Sequence, residues 1–251
     1  MNSELINKIA KQNTPAVSLN IFSNFYRHDI LKMVKNKNCI GIELGVAGGD
    51  FSKRMVESQI FENFYGVDLY EDHHNVKEYI SALKFIGLGN KYNLLRMSFE
   101  ESLELFEDNY FDFIYFDGYA HTGEEGGKTF SDWYRKLKIG GMFAGDDYHD
   151  DWPLVKWAVN DMICQIGCEL NITGKTENTN LNKYPSWFFI KDSEKFFVPN
   201  EKLKLLGSNI RSSTRNKSDS NVTISITQLE NVLRRIKEKN PKIAKNLKKL
   251  L

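Results

Sequence analysis

The strongest constraint on this chain is an alternation of short apolar runs and amphipathic stretches from Cys39 to Asp192. CIGIEL (residues 39–44) has the look of a buried strand, and GGDFSKRMVESQ opens a helix behind it. FYGVDL is a second strand, VKEYISALKFIG a helix ending near Gly87, and YNLLRM a third strand. FEESLELFED reads as a helix, FDFIYFD as a fourth strand, roughly 128–137 as a helix and GGMFAGDD as a fifth strand. Pro153 stands where a first-turn proline would start the helix PLVKWAVNDMICQI. Strands near 169–174 and at SWFFIKD complete the set, joined by the polar loop GKTENTNLNKYP. Strands apolar on both faces and separated by helices need cover on both sides. The expected fold is therefore α/β, a doubly wound, mostly parallel, seven-stranded sheet. The last strand follows a loop and not a helix, so it is expected to pair antiparallel.

Outside this core the pattern changes. Residues 1–36 are read as a helical segment, with Phe22, Phe25, Tyr26, Ile30, Leu31 and Val34 near a 3.6-residue rhythm. The aromatics of this group are read as core packing in preference to a lid, and Trp133, Trp152, Trp157 and Trp187 as core or loop packing. The expected organisation is 1–36 helical, 37–200 the α/β domain, 201–224 a Ser/Asn-rich linker, and 225–251 a basic amphipathic tail. In the tail, Ile226, Leu229, Leu233, Ile236, Ile243, Leu247 and Leu250 fit one heptad register that Pro241 interrupts. Two short helices and contact with a second copy of the chain are the expectation there.

Charge is divided in the same way. From Lys202 onward, 13 Lys and Arg face three acids, a net +10, so residues 1–201 carry −9 of the overall +1. An acidic body disfavours a phosphate backbone as partner near the site, whatever the tail binds. The N-terminus has no apolar leader and no run reaches membrane-spanning length, so a cytoplasmic protein is expected. Cys39, Cys164 and Cys168 lack metal-ligand spacing and read as buried thiols in a reducing compartment.

Ligands of open α/β sheets sit beyond the carboxyl ends of the strands. Several polar residues collect there. IELGVAGGDFS places Glu43, Gly45, Ala47 and Gly49 after the first apolar strand, a turn that brings backbone close to a ligand and opens a helix N-terminus. Its spacing differs from the dinucleotide glycine pattern, which disfavours a nucleotide oxidoreductase. Asp68 ends the second strand, where an acid can accept the hydroxyls of a ribose. FDGYAH puts Asp117 and His121 after the fourth strand, and GDDYH puts Asp146, Asp147 and His149 after the fifth. Carboxylates from adjacent strand ends can supply oxygen ligands to a hard cation, or else anchor the cofactor and cap the next helix. A histidine beside them titrates near neutral pH and suits proton removal.

E-x-G-x-x-x-G after strand one, an acid ending strand two and D-G after strand four together resemble the class I S-adenosylmethionine-dependent methyltransferases, with a Rossmann-like fold. The stretch LKIGGMFAGDDYHDDWP is similar to the small-molecule O-methyltransferases found among macrolide-sugar and surface-polysaccharide enzymes. The resemblance covers about residues 36–192. It implies that Glu43, Gly45, Ala47 and Gly49 line the methionine part of the cofactor, Asp68 holds the ribose, and Ser98 and Phe99 flank the adenine. Ser98 stands where the family usually has Asp, and DGYAH has one residue more than the family's D-G-D-H. It also implies Mg²⁺ on Asp117, Asp146 and Asp147, with Asp117 beside the cofactor and His121, or alternatively His149, as the base.

The expected activity is methyl transfer from S-adenosylmethionine to an oxygen of a small polar acceptor, such as a sugar or glycan-precursor group. A phosphoramidate-type or phenolic acceptor, a nucleic-acid methyltransferase using the basic tail, and a non-catalytic nucleotide-binding protein are the alternatives.

Overall fold

The computed structural model describes residues 3–71, 74–87, 89, 91–118, 123–177 and 183–218. The chain divides into two compact units, Met1–Ile210 and Arg211–Leu251. In the first unit the strands are β1 (Leu19–Phe22), β2 (Cys39–Leu44), β3 (Phe61–Asp68), β4 (Tyr92–Arg96), β5 (Phe111–Phe116), β6 (Leu137–Gly145), β7 (Leu170–Thr173) and β8 (Trp187–Ile190). The α-helices are α1 (Ser3–Asn13), α2 (Asp50–Glu57), α3 (Val76–Ile86), α4 (Phe99–Leu103), α5 (Lys128–Tyr134), α6 (Pro153–Ile166) and α7 (Glu201–Ser218), with a 3-10 helix at Arg27–Met33. Of the second unit only 211–218, the end of α7, is described, so the expected heptad helices lie outside the described residues.

The sheet has eight strands in the order β1-β7-β8-β6-β5-β2-β3-β4. β8 pairs antiparallel with both β6 and β7, and every other pairing is parallel. Seven strands were expected. The eighth, β1, lies inside the segment read as helical and pairs with β7 in register from Leu19 opposite Leu170 to Phe22 opposite Thr173. The rhythm of the aromatics hid a short edge strand whose pairing partner is far along the chain.

Alternation along the strands splits the core. Ile42, Leu44, Ile114, Phe116, Phe143 and Trp187 point to a layer with Phe130, Trp133 and the buried face of α6. Phe64, Phe113, Tyr115, Met142 and Phe188 face the other layer, with Phe51 and Met55 of α2 and Ile30 of the 3-10 helix. Period-two burial on a sheet covered by helices on both faces is the parallel-sheet pattern. α6 begins on Pro153 at its first turn and stops at Gly167, whose φ of 70° is the left-handed helix stop.

The stretch expected as a linker is helical over Glu201–Ser218. Asn200 Oδ1 accepts the Leu203 N–H at 3.0 Å, and Leu203 and Leu206 are buried, which anchors the first turns. Two leucines one turn apart outweighed the local polar composition. Among the described residues no helix is long and apolar enough to cross a membrane.

Candidate active site

The carboxyl ends of β2, β3, β4, β5 and β6 open onto one cavity of about 700 Å³. That lies within the ~300–1,000 Å³ of small-molecule sites. One wall is the turn after β2. Gly45, Ala47 and Gly49 have φ of 100°, 46° and 88°, so the chain coils through left-handed conformations to reach α2. A Cβ on Gly45 would stand 2.6 Å from the Asp117 carbonyl oxygen, so only glycine fits between β2 and the loop after β5. Asp68 holds this turn from the end of β3. Its Oδ2 accepts the N–H groups of Val46 and Ala47, both at 2.9 Å, and Oδ1 accepts that of Tyr70 at 3.2 Å. The Tyr70 hydroxyl donates to Ala47 O at 2.8 Å.

Gly45, Ala47, Gly49, Asp68, Ser98, Phe99 and Asp117 all line the cavity. Ser98 also caps α4, accepting the Glu101 N–H at 3.1 Å while Glu101 Oε2 accepts the Ser98 N–H at 2.9 Å. The Phe99 ring lies close beside Gly118, where a Cβ would meet it at 3.0 Å. Glu43 is placed differently. It is buried behind the turn, is absent from the cavity lining, and accepts a short hydrogen bond from Ser52, whose hydroxyl in turn receives that of Tyr92 at 3.0 Å. Burial, then the Asp117 charge, raises its carboxyl well above the ordinary range, against the pull of Ser52 and Arg27.

Asp117, Asp146 and Asp147 come together at the ends of β5 and β6, and all three line the cavity. Between the first two stands Arg27, at the start of the 3-10 helix. Its Nη1 is 3.1 Å from Asp117 Oδ2 and 3.0 Å from Asp146 Oδ2. The guanidinium lies 4.7 Å from the Phe51 ring centroid and 5.9 Å from that of Tyr115. Ser186 donates to Asp146 Oδ1 at 2.9 Å and shares a 2.9 Å hydrogen bond with the Tyr115 hydroxyl. Burial alone would lower the Arg27 pKa, but Tyr115, Asp117, Asp146 and Glu43 around it outweigh burial and raise it. Burial and the Asp117 charge raise the Asp146 carboxyl, with Arg27 and Ser186 opposing. Asp147, in a left-handed conformation at φ 61°, is pushed up to about 8 by burial, then by Asp146 and Asp117, with Arg27 and Trp152 opposing.

The expected metal set does not fit these surroundings. A divalent ion needs the carboxylate oxygens converging on a shared point, with water completing the shell. Here a guanidinium nitrogen bridges two of the three carboxylates, and Asp146 Oδ1 is engaged by Ser186. Among the described residues no group of three or more His, Cys, Asp or Glu side chains is arranged to hold an ion.

His149 is not in the cavity lining. Its ring accepts the Asp151 N–H at 3.1 Å and packs on Tyr184, centroids 4.8 Å apart. His121 lies outside the described residues. Sequence reasoning also missed lining residues. Arg27 is separated from Asp117 and Asp146 by 90 and 119 residues, so no spacing signalled it. Met97, Trp152, Lys183 and Tyr184 also line the cavity, and the last two belong to the polar loop between β7 and β8.

A glycine turn with left-handed φ, gripped by the acid that ends the next strand, defines a nucleotide-type ligand cradle at the edge of a doubly wound sheet. Residues 42–148, under half of the chain, match the family described as a methyltransferase domain. That match supports an S-adenosylmethionine-dependent methyltransferase. No curated protein matches the chain in sequence. Among solved structures, spermidine synthase from Thermotoga maritima superposes with a TM-score of 0.52 at 16% identity, over 74% of this chain and 71% of that one. A Klebsiella pneumoniae protein assigned as an O-methyltransferase gives 0.50 at 16% identity, over 77% and 92%. At such identity the likeness speaks for the fold.

Proposed function

We propose that this protein moves the methyl group of S-adenosylmethionine to an oxygen of a small polar acceptor, a sugar or glycan-precursor hydroxyl being the class its sequence resembles most. The observation that carries this reading is the single cavity in which the glycine turn and the Asp117–Asp146–Asp147 cluster meet. When bound, the cofactor supplies an electrophilic methyl on a sulfonium. The turn 45–49 offers backbone to the methionine part, Asp68 accepts from the ribose, and Ser98 and Phe99 flank the base. Arg27, Asp147, Trp152, Lys183 and Tyr184 line the same cavity, and we read them as a second half beside that of the cofactor. That second half would hold the acceptor, and aligning the two reactants supplies much of the rate.

The described lining includes Asp50, Asp68, Glu78, Asp117, Asp146 and Asp147 against Arg27 and Lys183. Such an acidic wall repels a polyanion, which favours a small acceptor over nucleic acid. The acceptor's proton goes to a base at the strand ends, and His121 is our candidate. Calorimetry should show S-adenosylhomocysteine binding and no binding of NAD; the reverse would end the methyltransferase reading of this cavity. His121→Ala should lower turnover by about 10²-fold, the general-base scale, with His149→Ala near normal. The opposite ranking would move the base to His149.

A further inference from the structure

We propose that Arg27 stands in the place of a divalent cation, so that a guanidinium bridges Asp117 and Asp146 at the ends of β5 and β6 and the centre works without metal. The inference rests on the methyltransferase reading of the cavity and concerns how its acidic half is held together.

Three carboxylates at two adjacent strand ends repel one another unless a positive charge stands among them. A metal ion is one solution. The observed one is Nη1 of Arg27, within 3.1 Å of both Asp117 Oδ2 and Asp146 Oδ2, a position that an ion bridging the same oxygens would contest. The group is built in. The Arg27 side chain is 9% exposed, and the buried rings of Phe51 and Tyr115, themselves stacked at 4.0 Å, support the guanidinium. Ser186 links Tyr115 to Asp146, closing the cluster. The helix start that presents Arg27 is fixed too, since the Tyr26 N–H donates to Asp29 Oδ2 at 2.9 Å. An arginine stays charged at every pH the protein meets, so this neutralisation needs no cofactor supply.

The geometry also gives Arg27 a use. Among the described residues both of its hydrogen bonds leave from Nη1. The guanidinium has five N–H groups and lines the cavity, so further donors remain to orient an acceptor oxygen, a task a metal would otherwise perform. Arg27 is thus a positioning residue for the two aspartates and a donor toward the acceptor half of the site.

The test uses the full chain and Mn²⁺ alone as probe, followed by its electron paramagnetic resonance, alongside S-adenosylhomocysteine calorimetry. Wild-type protein should take up no stoichiometric Mn²⁺ and keep the same homocysteine-ligand affinity in excess EDTA. Arg27→Met should lose thermal stability and recover part of it with Mn²⁺, whereas Arg27→Lys, which keeps a cation, should show no Mn²⁺ response. Stoichiometric Mn²⁺ on the wild type that Asp146→Asn abolishes would overturn the proposal, and needs no arginine variant to fold. So would an Arg27→Met protein as stable as wild type and indifferent to Mn²⁺. Failure to bind S-adenosylhomocysteine would instead count against the cofactor reading, leaving the Mn²⁺ result to judge Arg27 by itself.

Discussion

Asp68 and Glu43 are both acids at strand ends, yet they face different tasks. Asp68 lines the cavity while its carboxylate holds the turn through two 2.9 Å hydrogen bonds, so it serves loop and ligand together. Asp68→Ala should weaken S-adenosylhomocysteine binding by about 1.5–3 kcal/mol, the scale of hydrogen bonds to a charged group. It should also lower the melting temperature, because the N–H groups of Val46, Ala47 and Tyr70 lose their acceptor. Glu43→Gln should leave the affinity almost unchanged, since that side chain is buried behind the turn. Calorimetry on the pair checks both, and equal losses would return Glu43 to the ligand. Asp147 carries a pH signature. Its carboxyl is pushed up to about 8 in the folded chain, above the ~3.9 of an unfolded aspartate. The folded state therefore binds this proton more tightly, and stability is lost as pH rises from about 4 toward 8. Asp147→Asn removes that loss and suits the left-handed backbone, so it should be more stable than wild type at pH 8.5 by roughly 1–2 kcal/mol after screening at an open cavity. At pH 4 the two should melt alike in urea. A gain of equal size at both values would mean that ionisation is not the cause.

The turn between β2 and α2 depends on its two ends differently. At Gly45 a side chain meets both a left-handed φ of 100° and the Asp117 carbonyl at 2.6 Å, and backbone cannot step aside cheaply. Gly45→Ala should cost at least ~2 kcal/mol of stability, from backbone strain of about 1–3 kcal/mol plus the clash. Gly48 has only the flexible Asp50 Oδ2 near its absent Cβ, at 3.7 Å, while it lines the cavity. Gly48→Ala should fold as wild type and show any defect in ligand affinity. Denaturant melts of the two variants make the comparison, and a stable Gly45→Ala would contradict the packing described. Among the elements themselves, β2 to β8 and α6 were legible because each carries a dense apolar run or a proline start. β1 was not. Four residues, mostly exposed, form a strand only because β7 offers an open edge to pair with.

For the whole molecule, the division between an acidic body and a basic tail sets the remaining question. Residues 225–251 are proposed as an appendage whose heptad-spaced apolar face meets a second copy. Truncation after Asn221 should then lower the mass seen by sedimentation to that of a smaller assembly. An unchanged number of subunits would rule the tail out as the contact. By itself the sequence determined the α/β class, the winding and the sheet edge at which polar residues collect: apolar strands need cover on both faces, and polar residues that end them must gather at one edge. Gly45, Asp68, Asp117, Asp146 and Asp147 were readable for that reason, since each directly follows or ends a recognisable strand. Arg27 was not, nor was the retreat of Glu43 from the cavity. Strand ends can be counted along a chain, but which side chain crosses the sheet edge to neutralise them depends on packing between segments 90 and 119 residues apart. Only the tertiary structure decides whether such carboxylates hold an ion or an arginine, because the choice is made by the charge that the fold places among them.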